Sequence, residues 1–387
     1  MTADEGNRYA HIDAMRALAV MLVVVAHAGY GNIVPGGSGV TIFFSISGFI
    51  ITYLLLREND QTGGFGIGAF YLRRALKIGP PLLVCILIPT LILAIVKTIN
   101  WPPFVGIVFF YFNWFKAASI DAPLPGSGVV WSLSIEEQFY LGFAIIWLLT
   151  VKFAARTRIL AALAAAAVMW STATRIILAS SSADYADRIY YGSDTRLDAI
   201  AWGILAAIAF HHSQRQPGRI QSFVRLCTRD FALLAAVVLY LTSLAIRDDW
   251  FRDTFRFSLQ SLAAIIAILY GFGSTKSLTR TAFNAIVRNR VVQLIGLASY
   301  SIYLIHLVAM YYAGHLFDQI PRALSIPALI VVGTVPGVLV YFGVERPVQR
   351  MRHRRKAIRQ AAESGVEPIV ESPASNPSRA AAGDLSR

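Results

Sequence analysis

Charge is scarce in this chain. Of 387 residues only 15% are Asp, Glu, Lys or Arg, while 56% are hydrophobic; a soluble domain carries about 25% charged residues. The shortage excludes an ordinary water-soluble globule, and the hydrophobic excess excludes a disordered chain. Cysteine is nearly absent: Cys85 in an apolar run and Cys227 in a basic loop are the two, so there is neither a disulfide scaffold nor a CxxC metal site. No Cys/His/Asp cluster has ligand spacing, and no metal is expected. Polar–apolar alternation of the kind that marks a barrel strand is missing. So are tandem repeats and a nucleotide-cradling glycine pattern, since Gly63, Gly64 and Gly66 sit in a loop. The net charge of +13 would suggest nucleic acid in a soluble domain. Here the basic residues fall between apolar runs, which is the pattern of membrane topology. Membrane lipids are therefore the expected surroundings, and no nucleic-acid partner is expected.

Long hydrophobic runs are what the chain has in quantity. They lie near 14–30, 39–56, 80–97, 103–115, 132–151, 159–179, 196–211, 231–246, 256–272, 294–313 and 326–344. A crossing helix takes about 20 apolar residues, which all but 103–115 approach. Lys and Arg mark cytoplasmic segments, and five connections are rich in them. These hold Arg57, Arg73, Arg74 and Lys77; Lys152, Arg156 and Arg158; Arg215, Arg219, Arg225 and Arg229; Lys276, Arg280, Arg288 and Arg290; and the segment from Arg346 to Arg359. They alternate with poorer connections only if 103–115 does not cross. That run, with Tyr111, Asn113 and Trp114, reads as re-entrant or interfacial. The expected fold is an all-α polytopic membrane protein with about ten transmembrane helices, one short re-entrant or interfacial segment, and both termini cytoplasmic. An integral-membrane domain covers 1–350, and 351–387 forms a basic, then disordered, cytoplasmic tail. Ala26-His27-Ala28 fits a signal-peptidase site, but Asp4, Glu5 and Asp13 offset Arg8 and Arg16, where a signal peptide wants a positive start.

Ionisable residues within spans are costly and mark candidate sites. Arg16 and His27 lie eleven residues apart, on nearly one helix face and about 16 Å apart along the axis. Arg16 has the competing role of a helix-end arginine reaching lipid headgroups. Arg73, Arg74 and Lys77 form a cytoplasmic basic cluster in which Arg74 and Lys77 share a face. Guanidinium groups suit phosphate oxygens, although the cluster equally satisfies the positive-inside pattern. Ser134 and Glu137 have capping-box spacing, which leaves Glu136 as the carboxylate at the start of a membrane helix without a structural task. Asp194 and Arg196 are near enough to pair. Tyr303 and His306 share a face at i, i+3.

Together these segments resemble the acyltransferase family 3 of bacterial membrane O-acyltransferases. The resemblance rests on Asp13 and Arg16 ahead of His27; Phe43-Phe44-Ser45-Ile46-Ser47-Gly48-Phe49; Arg73-Arg74-Ala75-Leu76-Lys77-Ile78; Trp131-Ser132-Leu133 through Tyr140; Asp194-Thr195-Arg196-Leu197-Asp198-Ala199; Ser299 through His306; and Val344-Glu345-Arg346-Pro347. They occur in order across 10–350. Lys77 departs from the arginine common in the family, which weakens the case for bidentate phosphate binding there.

The resemblance implies an enzyme of the inner (plasma) membrane. It would move an acyl group, most often acetyl, from cytoplasmic acyl-CoA to a hydroxyl of a carbohydrate or glycolipid at or beyond the outer face. On that scheme Arg16, Arg73, Arg74 and Lys77 hold the phosphates of acetyl-CoA. His27 acts as general base on the acceptor hydroxyl, or as the site of an acyl-histidine intermediate. Glu136 orients His27 or binds the sugar, and Asp194, Arg196, His306 and Glu137 serve the acceptor or the scaffold. Two other readings compete. A transporter would bury a His/Glu relay but would be expected to show two corresponding halves. An electron carrier would use His27 and His306 as haem ligands.

Overall fold

A computed structural model describes residues 9–352 apart from Phe65, 182–184 and 318. Asp4, Glu5, Arg8 and the expected tail beyond Arg352 lie outside the described residues. Within them the chain is helical, with no strand. The elements are α1 (Ala10–Val25), α2 (Gly36–Thr62), α3 (Ile67–Leu82), α4 (Ile88–Val96), α5 (Trp101–Val108), α6 (Phe112–Ala117), α7 (Trp131–Thr150), α8 (Arg156–Ser181) and α9 (Ala186–Tyr191). They continue with α10 (Ser193–Ser213), α11 (Arg219–Cys227), α12 (Asp230–Ala245), α13 (Asp249–Asp253), α14 (Arg256–Gly271), α15 (Leu278–Val287), α16 (Arg290–Gly314) and α17 (Arg322–Val340).

Seven continuous helical segments are long and apolar enough to cross a membrane: Ala10–Tyr30, Gly36–Thr62, Ile67–Val96, Ser127–Thr150, Arg156–Ser181, Arg290–Phe317 and Arg322–Arg352. Two shorter apolar helices, α12 and α14, add to them. The outer surface has the character of a lipid-facing one. Ile95, Val96, Leu149 and Leu339 are 82%, 76%, 70% and 65% exposed, whereas Arg175, Arg196, Asp198 and His306 are fully buried. Water rejects such apolar faces; hydrocarbon accepts them and drives polar groups inward. The chain is a multi-pass membrane protein.

The 103–115 run divides into α5 and α6, eight and six residues long, which reach only about 12 and 9 Å at 1.5 Å per residue. Neither crosses a bilayer. A turn at Phe110, in the left-handed region at φ 58°, folds α6 back so that Gly106 packs against Phe112 and Phe115.

A difference from the hydropathy pattern concerns α3. The hydropathy pattern starts a run at residue 80, yet one helical segment runs from Ile67 to Val96, with Pro80 and Pro81 inside it. A proline removes an N–H and crowds the preceding turn. A π-helical stretch at Leu83–Leu87 follows the pair, and the Tyr300 hydroxyl donates to the Ile78 carbonyl at 3.1 Å. Arg73, Arg74 and Lys77 therefore stand on the first half of a continuous helix.

Helices meet through small residues, as membrane packing favours. α2 lies along α10, and α1 along both α2 and α16. A side chain at Gly48 would strike the Ile200 carbonyl; one at Gly203 would strike the Ser45 carbonyl. Gly296 admits the Asp13 backbone, which brings α1 and α16 together. Arg175 and Asp198, both fully buried, join α8 to α10 through a 2.8 Å ion pair.

Candidate active site

Two compartments lie along the α1–α16 seam. The first is a cavity of about 290 Å³ near the N-terminal end of α1, lined by Asp13 and Arg16 of α1, Ser47 of α2, Arg74 and Lys77 of α3, Glu136 and Tyr140 of α7, and Ser299, Tyr300 and Tyr303 of α16. Three cations face two carboxylates, so the lining carries excess positive charge. Arg74 donates from Nε and Nη2 to Glu137 Oε1 at 3.3 and 3.1 Å, and its guanidinium lies 3.2 Å from the Tyr140 ring centroid. That stacking holds the fork in a fixed plane. Glu136 accepts from the Ser47 hydroxyl at 3.1 Å and from the Tyr140 hydroxyl at 3.2 Å. Arg16 Nη1 lies 4.0 Å from Asp13 Oδ1, one turn away.

The second compartment opens at the other end of α1. There the helix passes into a π-helical turn, Ala26–Tyr30, with Gly29 at φ 124°. The wide turn carries His27 at the C-terminal end of the segment, where it lines an open vestibule with Leu307, Met310, Tyr311, Ser325 and Leu329. His27 Nδ1 is 3.0 Å from Nε2 of His306, and the His306 Nδ1–H donates to the Tyr303 carbonyl at 2.8 Å. Tyr303, whose carbonyl takes the His306 bond, lines the first compartment. Its hydroxyl is 2.8 Å from Ser132 Oγ and donates to the Val129 carbonyl at 3.0 Å.

The candidates read from sequence thus separate. Arg16, Arg74, Lys77 and Glu136 converge in the chamber, and His27 and His306 meet at the vestibule. Glu136 does not reach His27; its partners are Ser47 and Tyr140. Arg73 lies off the chamber lining and pairs with Glu58 at 3.3 Å. The capping box at Ser134 and Glu137 does not form, because a 3-10 turn at Ser127–Val130 starts the helix earlier; both residues stand inside it, and Glu137 pairs with Arg74.

Asp194 and Arg196 are not partners. Asp194 takes both Nη atoms of Arg188 at 2.8 and 2.7 Å. Arg196 is fully buried, 4.1 Å from the Phe257 ring centroid and 5.8 Å from that of Trp131, and donates to Thr41 Oγ1 at 3.0 Å. Among the described residues no group of three His, Cys, Asp or Glu is placed to hold a metal ion.

Sequence reasoning did not single out Ser47 or Tyr140 as site residues. Tyr140 stands four residues after Glu136, one helical turn on, and that spacing was the available signal.

Comparison with known proteins bears on what this arrangement does. The profile of a family described as "acyltransferase domain" matches residues 9–344. A Staphylococcus aureus (strain COL) protein, provisionally named an O-acetyltransferase, is 28% identical over 338 residues, covering 80% of this chain and 52% of its own. The peptidoglycan O-acetyltransferase OatA of Listeria monocytogenes is 26% identical over 309 residues, 76% of this chain and 48% of that protein. A Bacillus subtilis protein, provisionally named a peptidoglycan O-acetyltransferase, is 25% identical over 367 residues, 89% and 55% of the two chains. The chain spans about half the length of the curated relatives it matches. No solved structure shows a significant match.

Proposed function

The chain belongs to the acyltransferase domain family, and from that premise we propose that it works as a membrane O-acetyltransferase that moves acetyl from acetyl-CoA to a hydroxyl of a cell-surface or exported carbohydrate. Peptidoglycan, named in two of its relatives, is the first acceptor to test. The observation that carries the reading is the two-compartment seam: a basic chamber lined by Tyr303 on one side, a histidine-bearing vestibule on the other, and His306, bonded to both His27 and the Tyr303 carbonyl, joining them.

In this reading the chamber takes the donor. Arg16, Arg74 and Lys77 hold phosphate groups of the nucleotide, with the Arg74 fork already set by Glu137 and Tyr140. The thin pantetheine arm passes Tyr303, and the thioester reaches the vestibule. His27 takes the proton from the acceptor hydroxyl as the oxygen attacks the thioester carbonyl. The C–S bond breaks, and the leaving thiolate collects the proton from His27 to become the free thiol of CoA. Ten crossings, with both termini cytoplasmic, put the chamber on the cytoplasmic side where acyl-CoA is found and the vestibule on the outer side of the inner membrane. The catalytic domain then covers 1–350.

The test is transfer of labelled acetyl from acetyl-CoA to carbohydrate by membranes with and without the chain, using sealed vesicles of either orientation. The reading expects label on glycan when donor is supplied on the chamber side. Label that stays in acetyl-CoA with peptidoglycan, lipid-linked saccharide and exopolysaccharide all present would contradict it.

A further inference from the structure

His306 is fully buried and takes no place in the lining of either compartment. It has no route to donor or acceptor, yet it touches the one imidazole that has. We propose that His306 is a positioning residue that fixes the tautomer of His27 and leaves the lone pair of His27 on the ring nitrogen facing away from His306. The proposal rests on the reading of His27 as the group that receives the hydroxyl proton.

The Tyr303 backbone carbonyl only accepts, so at 2.8 Å the proton must sit on His306 Nδ1. A neutral imidazole has one N–H, and Nε2 of His306 is therefore an acceptor. With both rings neutral, His27 Nδ1, at 3.0 Å from it, donates, and the Val23 backbone carbonyl is a second acceptor for the His27 ring. The one remaining lone pair of the couple is on His27 Nε2. A backbone carbonyl, fixed by the helix, thus sets the state of a nitrogen two rings away. The same arrangement orders the histidine of hydrolase triads, with a carboxylate in the place His306 has here.

Packing holds the chain of bonds in place. The two rings lie 5.1 Å apart between centroids, 31° from coplanar. On the far side, α17 comes close at Gly333, where a side chain would press on Met310 and meet the His306 Cβ at 3.4 Å. His306 therefore has little freedom to turn and expose its other edge.

The arrangement has a kinetic consequence. Before reaction the bond from His27 Nδ1 to His306 joins two neutral rings. Once His27 Nε2 has taken the hydroxyl proton, the same bond starts from an imidazolium, and charge-assisted hydrogen bonds are roughly twice as strong. The interaction strengthens on the way to the transition state, so its loss lowers kcat rather than raising KM.

The experiment measures acetyl transfer from acetyl-CoA by the full chain in membranes, for wild type, His306→Leu, His306→Gln, His27→Ala and the His27→Ala/His306→Leu double variant. His306→Leu is expected to lower kcat by roughly 5- to 15-fold, the excess of a charge-assisted hydrogen bond over a neutral one, with KM for acetyl-CoA within about twofold. His306→Gln puts an amide oxygen where Nε2 stood, accepts from His27 Nδ1, and should recover most of the rate. The double variant should be no slower than His27→Ala alone, because a positioning residue has nothing left to position. Equal kcat for wild type and His306→Leu would overturn the proposal. So would a Gln variant as slow as His27→Ala, which also decides the matter if the Leu variant fails to accumulate. Wild-type membranes that transfer nothing would overturn the underlying reading and this assignment with it.

Discussion

Arg73, Arg74 and Lys77 look like one basic cluster in sequence, but the structure separates them, and the separation has a measurable consequence. Arg73 pairs with Glu58 away from the chamber, while Arg74 and Lys77 line it. Consider Lys77→Met, which keeps the length of the side chain and removes its charge. If Lys77 holds a donor phosphate, the loss is that of one hydrogen bond to a charged group, about 1.5–3 kcal/mol. At about 1.4 kcal/mol per tenfold, KM for acetyl-CoA should rise roughly 10- to 150-fold. The phosphates lie far from the reacting carbonyl and are bound equally before and during reaction, so kcat should stay near wild type. Arg73→Ala removes as much charge from the sequence but none from the lining, and should change KM less than about twofold, as expected of an exposed pair. The assay is a saturation curve in acetyl-CoA at fixed acceptor for the three proteins. Equal KM increases in both variants would refute the assignment, because long-range charge rather than the chamber would then bind the donor.

Other consequences follow from packing and pairing. Gly48→Ala should cost about 1–3 kcal/mol, the range of overpacking, because the new methyl meets the Ile200 carbonyl; Gly128→Ala, with open space around it, should not, and heat-induced aggregation in detergent compares the two. Asp198→Asn breaks the fully buried pair with Arg175 and should destabilise by about 3–5 kcal/mol. Asp194→Asn, whose partner Arg188 is 30% exposed, should lose no more than about 1 kcal/mol, read by the same aggregation curves. Tyr303→Ala removes the ring and the bonds to Ser132 and Val129, and should raise acetyl-CoA hydrolysis relative to transfer. An unchanged ratio of free acetate to acetylated glycan would show that Tyr303 does not divide the compartments.

Much of this was legible in the sequence. Every apolar run is a helix, and the short run at 103–115 is two helices too short to cross. Arg16 and His27 stand in opposite halves of one helical segment, Ala10–Tyr30. These features depend on local periodicity and on the expense of placing a charge in hydrocarbon. What stayed hidden depends on partners far along the chain. Arg74 turns to Glu137 and Arg73 to Glu58 because adjacent residues lie about 100° apart on a helix, but only the packing of α2 and α7 against α3 decides which carboxylate each meets. Asp194 has Arg196 two residues away, yet their helical directions diverge and Arg188, across the α9–α10 turn, takes its place. The failed capping box at Glu137 has a simpler cause: a 3-10 turn moved the start of the helix by four residues.

The central claim is that His27 performs the proton transfer at the meeting of the two compartments. Labelled acetyl from acetyl-CoA, followed onto glycan in membranes holding equal amounts of wild type and His27→Ala, tests it most directly. Label is expected on carbohydrate with wild type and near-background incorporation with the variant, at unchanged donor binding. Equal incorporation by the two would contradict it.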